Sequence, residues 1–417
     1  MSEPRSDLQV RVETYHEFQG ILEQQAQEPI HNDPVIAACS RALLDLTQEP
    51  DLKDLFIDQI FKHMQGKSKL EALNVNNLAI RSINRCLMHP EPDLTIDYPD
   101  ASFDKPDTFR WLLPDILGIL PPYSPRKGDR FYSDMIWREV QSNKAKRYET
   151  IPLLRVMFPE EFAEASILDV GCSQNQGLKQ LALQIPFGEV GVADGTGQLP
   201  RDDIRAIRTA FNQQLQRPDF VLKESWGTDF FDLSDVEGRE WVEACSLIPS
   251  ELRQPDVVQQ YRFLQSVNPS NVHFKMSDFA MTVKPPRNPS DTRYMFDMPG
   301  KTFDIVSFMT MLYQVPAHER TIMFDHALQY SNRFIIVQDA AKRIKNPKGD
   351  HPMDGLAFDP KQFNKTFGYR LFVYDKDHPD HGFQELARLS SGRGDIIQLV
   401  DTSLMALHGL KNLLGRV

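Results

Sequence analysis

The chain has 417 residues, 41% of them hydrophobic and 25% charged, with a formal net charge of -11. That length exceeds one minimal domain and suggests two units, or one core with a large extension; the acid excess argues against a nucleic-acid surface as the dominant feature. The four cysteines, Cys39, Cys86, Cys172 and Cys245, are scattered without a C-x-x-C pair, so neither a disulfide framework nor a zinc site follows and a reducing compartment is the simplest reading.

The first residues, MSEPRSDLQVRVETYHEF, contain no apolar core with a cleavage site, and no apolar run is long enough to cross a bilayer. A cytoplasmic protein with no membrane partner is therefore expected. Residues 34 to 88 read as helical: Val35 to Leu46 precedes a Pro50-Asp51 break, and Leu55, Ile57, Ile60, Phe61 and Met64 show the three-and-four spacing of one apolar helix face. From Pro90 to Lys127, prolines at 90, 92, 99, 106, 114, 121, 122 and 125 forbid a long helix. Phe103, Phe109, Trp111, Leu112, Leu113, Ile116 and Leu117 are nevertheless too apolar for a free linker, which predicts a folded cover segment. Residues 1–130 are thus read as a helical and proline-rich cap. Phe131 to Glu149 returns to helical composition and opens a core running from 131 to 417.

From Ile167 onward, strand-like and helix-like texture alternate. Candidate strands are Ser166–Val170, Phe220–Thr228, Val272–Met276, Phe303–Phe308, Arg333–Val337, Tyr369–Tyr374 and Asp395–Val400. Helical stretches such as Val236–Cys245, Val257–Val267 and His318–Ser331 fall between most of them. The last two strands have only the loop Asp375–Arg393 between them, too short for a parallel crossover, so they are expected to pair antiparallel.

One stretch carries the most chemistry. Ile167-Leu168-Asp169-Val170-Gly171-Cys172-Ser173-Gln174-Asn175-Gln176-Gly177-Leu178-Lys179 is an apolar run, an acidic residue and a glycine, a polar turn, and a helix start. An α/β sheet uses this unit to present backbone N–H groups to a ligand lying over its strand ends. Glycine lets a ligand approach the backbone closely. The segment resembles the first motif of Rossmann-like, class I S-adenosylmethionine (SAM)-dependent methyltransferases, usually Asp-x-Gly-x-Gly-x-Gly, with Ser173 and Asn175 standing where the second and third glycines do. The resemblance covers about the last two-thirds of the chain. It implies an α/β fold with a seven-stranded, mostly parallel sheet and an antiparallel last strand, and SAM as cofactor. Asp169, Gly171, Cys172, Ser173 and Gly177 are its first cofactor-binding positions.

Such a sheet needs a carboxylate at the end of its second strand for the ribose hydroxyls, and two residues compete. Asp194, in Gly191-Val192-Ala193-Asp194, has the usual spacing of roughly twenty residues. Asp229, in Trp226-Gly227-Thr228-Asp229-Phe230, ends an extended run just before a helix and matches the spelling Gly-x-Asp-apolar. The context favours Asp229, with Phe230 beside it, and makes residues 187 to 218 an insertion. In Val272-His273-Phe274-Lys275-Met276-Ser277-Asp278-Phe279, similar to the third element, Asp278 is placed to accept from the adenine amine and Phe279 to pack on the ring; the plainer alternative for Asp278 is a helix N-cap. Phe303 to Val315 resembles the fourth element, so Met309 flanks the methionine end of SAM and Tyr313 orients an acceptor. A phenol of ordinary pKa near 10 is a poor base at neutral pH. Ahead of the first strand, Arg147 is the candidate for the methionine carboxylate and Tyr148 for the pocket wall, against the alternative of a solvated basic helix face. Asp339, with Asp350, His351 and Asp354, follows the fifth strand on the ligand side and supplies a candidate acceptor-binding or general-base group.

Other chemistries fit less well. The cluster His378-Pro379-Asp380-His381 sits in a hairpin loop, where a polar turn explains it better than a metal. There is no Walker loop, nucleophile elbow or zinc helix. Arginine and lysine are dispersed instead of clustered with aromatics, which gives stacking on single-stranded nucleic acid little support, and a net-negative protein with a large cap fits a small-molecule acceptor first, a protein side chain second and RNA third. Two alternatives stay open. One is a nicotinamide-dependent oxidoreductase, although Gly171-x-Ser173-x-x-Gln176 lacks its glycine pattern. The other is a non-catalytic binding protein on the same fold, which the two missing glycines permit.

Overall fold

The computed structural model describes residues 12–27, 34–56, 60–66, 81, 85, 105–110, 113, 148–229, 236–247, 255–280, 295–345, 347, 349–359, 362, 365–390 and 396–400. Most of the expected proline-rich cover segment, nearly all of the 131–149 stretch with Arg147, and Phe230 lie outside these residues. The chain divides into two units: Met1–Ser142 together with Val236–Tyr261, and Asn143–Asp235 together with Arg262–Val417.

In the first unit, helices Tyr15–Gln27 and Pro34–Leu46 pack against each other through Phe18, Ile21 and Leu22 on one and Val35, Ile36, Cys39 and Leu43 on the other. A reciprocal cap starts the first helix. The Glu17 N–H donates to Thr14 Oγ1 at 3.2 Å and the Thr14 N–H to the Glu17 carboxylate at 2.7 Å, satisfying donors the helix leaves unpaired.

The second unit is built on a nine-stranded sheet. Its strands are β2 (Ile167–Val170), β3 (Gly191–Asp194), β5 (Ser225–Asp229), β6 (Val272–Met276), β7 (Phe303–Met309), β8 (Ser331–Asp339), β11 (Tyr369–Asp375), β12 (Gln384–Leu389) and β13 (Ile396–Leu399). The spatial order is β3-β13-β12-β11-β8-β7-β2-β5-β6. Short pairs β1 (Glu164–Ala165) with β4 (Val221–Leu222), and β9 (Ala341–Arg343) with β10 (Leu356–Phe358), flank it. The five strands β6, β5, β2, β7 and β8 are mutually parallel. After an excursion to β3 at the far edge, the chain adds β5 and β6 on one side of β2, then crosses to β7 on the other. This reversal of winding direction puts a topological switch point between β2 and β7, where open α/β sheets bind ligands at the carboxyl ends of their strands.

The sheet is buried on both faces, as parallel strands require. Successive residues alternate between two cores: Ile167, Ile305, Ile336 and Leu371 face one, Leu168, Val306, Ile335 and Phe372 the other. Helices Thr150–Met157, Gln176–Ala182 and Arg201–Gln216 contribute to the first, and Ala317–Tyr330 to the second through Met323, Phe324 and Ala327.

The Rossmann-like α/β architecture is as expected, but the far half of the sheet differs. Tyr369–Asp375 and Ile396–Leu399 do not pair with each other. Gln384–Leu389, read from sequence as part of a loop, forms β12 between them, antiparallel to both. Residues 187–218 contain the long helix Arg201–Gln216 and also β3, which closes the far edge by pairing parallel to β13.

Candidate functional site

The turn after β2 is held in a shape that usually calls for glycine. Gly171 has φ +70°, and Ser173 and Asn175 also have positive φ, 55° and 58°. The residues in place of glycine therefore adopt glycine-like backbone conformations, each at a cost of roughly 1–2 kcal/mol. Two interactions fix them. The Ser173 N–H donates to Asp229 Oδ2 at 2.8 Å, a bond to a carboxylate only 7% exposed. Asn175 Nδ2 donates to the His273 carbonyl on β6 at 2.9 Å. The Asn175 side chain lies over β5 where Gly227 leaves room: a Cβ on Gly227 would meet Asn175 Oδ1 at 1.6 Å and Cys172 Sγ at 2.5 Å.

Beneath the turn is a buried polar knot. Asp169, with no exposed surface, accepts the hydroxyl of Tyr148 at one oxygen and that of Ser307 at the other, the latter at 3.0 Å. Burial first, then the Asp169 carboxylate, holds the Tyr148 phenol well above its usual pKa. The tyrosine ring lies against Gly177, where a Cβ would come within 2.1 Å of it. Asp169 and Tyr148 thus shape the turn from below, and the Cys172 side chain is wholly buried.

Across the switch point, Met311 covers Gly171, its Cβ and Cγ 3.4 Å from where a glycine Cβ would lie. Asp339 at the end of β8 fixes this β7 exit. Its Oδ2 accepts the N–H groups of Met311, Leu312 and Tyr313 at 3.1, 2.8 and 3.2 Å, and its Oδ1 that of Ala340 at 2.7 Å. Burial pushes the Asp339 carboxyl up, the four N–H groups pull it back, and it settles at about 7. Fully enclosed, it clamps the backbone and is not positioned as an acceptor-facing base. Tyr313 is half-buried, and its phenol oxygen accepts from Gln314 Nε2 at 2.6 Å.

On the other flank, Ser277 donates its N–H to the Asp229 carbonyl at 2.9 Å, which brings Asp278 to the same edge; one Asp278 oxygen accepts the Ala280 N–H at 2.9 Å. Gly171, Ser173, Asp229, Asp278, Met311 and Tyr313 therefore share the carboxyl edge of five parallel strands. Three expectations are corrected. Asp194 ends the far-edge strand β3, six strand positions from β2, about 29 Å at ~4.8 Å per strand, and β3 runs opposite to β2. Its carboxylate instead accepts Thr196 and Leu199 N–H groups at 2.8 Å. Phe279 is a core residue, 2% exposed and packed on Phe296, Phe308, His326 and Tyr330. Met309 is wholly buried in the other core.

Sequence reading pointed to Ser173 but missed Asn175 and Gln176 beside it. Ser173 Oγ, Asn175 Oδ1 and Gln176 Nε2, in residues at most 4% exposed, have no hydrogen-bond partner among the described residues. Buried polar atoms are nearly always paired, and these three cluster in the turn. Ser173 and Asn175 stand at glycine positions of the motif and Gln176 just past them, so the pattern gave no signal for Asn175 or Gln176. His378 and His381 stack at 5.5 Å in the β11–β12 connection, at the opposite end of the sheet from the turn. Among the described residues no cluster of three or more acidic, His or Cys side chains is arranged for a metal, and no helix is long and apolar enough to cross a membrane.

No protein-family model matches the chain, and no curated protein matches it in sequence. Solved structures similar to it are methyltransferases. The magnesium protoporphyrin IX methyltransferase of Synechocystis, with bound S-adenosylhomocysteine, is 13% identical over 57% of this chain and 71% of that one, with a TM-score of 0.24. An O-methyltransferase family protein from Burkholderia thailandensis is 11% identical over 86% and 94%, with a TM-score of 0.29. The plantazolicin methyltransferase BpumL is 13% identical, and this chain spans 60% of its length, with a TM-score of 0.24. At such scores, strand order and turn geometry carry the fold assignment.

Proposed function

We propose that this protein is a SAM-dependent methyltransferase acting on a small-molecule acceptor. The observation that carries the reading is the β2 turn: three positive-φ residues, the buried Asp229 carboxylate bonded to it, and the orphaned polar atoms of Ser173, Asn175 and Gln176, all over a topological switch point. Those atoms include both acceptors and a donor, which suits a ligand with an amino acid end and a ribose.

In this reading Asp229 accepts the ribose hydroxyls and Asp278 the adenine amine, while Ser173 and Gln176 hold the methionine end with Arg147. Gly171, under Met311, gives the turn its left-handed start, and Tyr313 positions the acceptor. Bound SAM supplies a methyl group already activated by positive sulfur, so the protein's task is alignment and exclusion of water. Asp339 contributes by fixing the β7 exit.

Calorimetric titration with SAM, S-adenosylhomocysteine and NAD tests this. S-Adenosylhomocysteine is expected to bind the native protein and to bind Asp229→Ala and Asp278→Ala at least about tenfold more weakly, the value of one lost hydrogen bond to a charged group. Asp194→Ala is expected to bind it normally. Binding of NAD in its place, or of neither ligand, overturns the proposal.

A further inference from the structure

Arg320, in the first turn of helix Ala317–Tyr330, is held in an unusual environment. Its guanidinium lies over the ring of Phe358, 4.4 Å from the centroid, and its Nη1 donates to the Leu312 carbonyl at 3.3 Å. That pins it at the β7 exit, one residue from Tyr313. The nearest acidic group that influences it is Asp339, whose two oxygens are already engaged by four backbone N–H groups. No carboxylate comes within 4.0 Å of Arg320 among the described residues.

A comparison within the molecule shows what is missing. Arg333 is stacked in the same way on Phe334, at 4.5 Å, but also pairs with Asp375 and Asp377 at 3.7 and 3.4 Å. Half-buried Arg370 pairs with Glu385 at 3.3 Å. Arg201, Arg208, Arg217 and Arg343 have no long-range acidic partner among the described residues, and all four are exposed to water. Among these, Arg320 alone combines half-burial and a ring contact with no carboxylate within 4.0 Å among the described residues. A guanidinium held over an aromatic ring, with Nη1 committed to Leu312, has further N–H donors in the fork geometry that suits a planar carboxylate. Burial also lowers the Arg320 pKa, and the Asp339 charge opposes that shift only in part.

We propose that Arg320, supported by Phe358, is a carboxylate-binding subsite, and that the methyl acceptor is a carboxylate-bearing small molecule anchored there beside Tyr313. The acceptor part of this inference rests on the methyltransferase reading; the anion site stands without it.

Titration calorimetry at constant ionic strength tests the subsite, with benzoate as the planar carboxylate, benzamide as its uncharged counterpart and inorganic phosphate as a tetrahedral anion. Benzoate is expected to bind the native protein in preference to phosphate and to benzamide. Arg320→Met should weaken it about tenfold or more, as loss of a charge-assisted contact implies. Arg320→Lys, which keeps the charge and removes the fork, should weaken it severalfold, and the exposed control Arg343→Met should not change it. Benzoate affinity that is absent in the native protein, or unaltered in Arg320→Met and Arg320→Lys, overturns the subsite; tighter binding of phosphate overturns the carboxylate assignment. S-Adenosylhomocysteine is titrated into the same proteins. Its failure to bind while benzoate still depends on Arg320 sinks only the methyl-transfer reading, and its normal binding with Arg320-independent benzoate sinks only the subsite.

Discussion

Substitution of Gly177 by alanine is a demanding test of how the turn is supported. The added Cβ would sit 2.1–2.2 Å from Cγ, Cδ1 and Cδ2 of Tyr148, against roughly 3.5–4.0 Å for carbon atoms in contact. The ring must withdraw by about 1.5 Å, and it is 5% exposed with its hydroxyl bonded to the fully buried Asp169. Overpacking of this kind costs about 1–3 kcal/mol, and loss of a hydrogen bond to a charged group about 1.5–3 kcal/mol. Alanine in place of a helical glycine returns about 1 kcal/mol. The net is a destabilisation of about 3 kcal/mol, read as a lower midpoint in urea unfolding of the second unit. Tyr148→Phe, which keeps the ring and loses the bond, should cost about 1–3 kcal/mol. Adding Tyr148→Ala to Gly177→Ala removes the clash, so the pair should lose less than the sum of the single changes. A Gly177→Ala protein as stable as the native one, or strict additivity in the double variant, refutes the packing argument.

Three further perturbations follow from the same geometry. Gly227→Ala places a carbon 1.6 Å from Asn175 Oδ1 and should break the bond to His273, lowering stability by about 2–4 kcal/mol and weakening S-adenosylhomocysteine together with it; a variant of normal affinity would mean that the turn tolerates losing Asn175. Burial works against the Asp194 carboxylate, but Leu199 and Thr196 donors hold it down at about 2 against an ordinary 3.8, so its contribution to stability is present above pH 3.8 and is lost as pH falls toward 2. Asp194→Asn should remove that acid-limb dependence in thermal melts without changing cofactor affinity, and an altered affinity would speak against the far-edge placement. Asp339 is the opposite case, raised from 3.8 to about 7: the folded state holds its proton where the unfolded chain has released it, so stability declines as pH rises from about 4 to 7. Asp339→Asn should flatten that interval, and parallel profiles for the two proteins would show that the carboxyl does not titrate there.

The near half of the sheet was legible because its strands are buried on both faces and read as continuous apolar runs: Ile167–Val170, Phe303–Phe308 and Arg333–Val337 all lie inside strands that formed. The far half was not. Gln384–Leu389, QELARL, has no β-branched residue and becomes a strand only because β11 and β13 bracket it. Gly191–Asp194 is a four-residue strand between glycines, stabilised by a partner about two hundred residues later; its spacing from the first motif made Asp194 a competitor, and only topology separates it from Asp229. Asp339 falls at the carboxyl end of β8, but sequence says nothing of where a carboxylate points, and this one turns inward to the backbone. Arg320 gave no local signal at all. Its meaning comes from Phe358, a neighbour on a separate hairpin, and from the lack of a carboxylate within 4.0 Å among the described residues.

The two absent glycines of the turn have a structural counterpart elsewhere. Asn175 needs volume that a side chain on β5 would otherwise fill, and β5 provides it at Gly227; the position without a Cβ has passed from the turn to the strand beneath it. Ser173 is held in its left-handed conformation by the Asp229 carboxylate, a bond worth about as much as the strain it offsets. The exchange also changes the chemistry of the turn. Where glycines would offer only backbone, Ser173 and Asn175 bring side-chain oxygens into the buried edge, and with Gln176 they remain unpaired among the described residues. Glycines would have left no polar atoms to satisfy, so the departure from the usual spelling is itself the feature that most calls for a polar ligand.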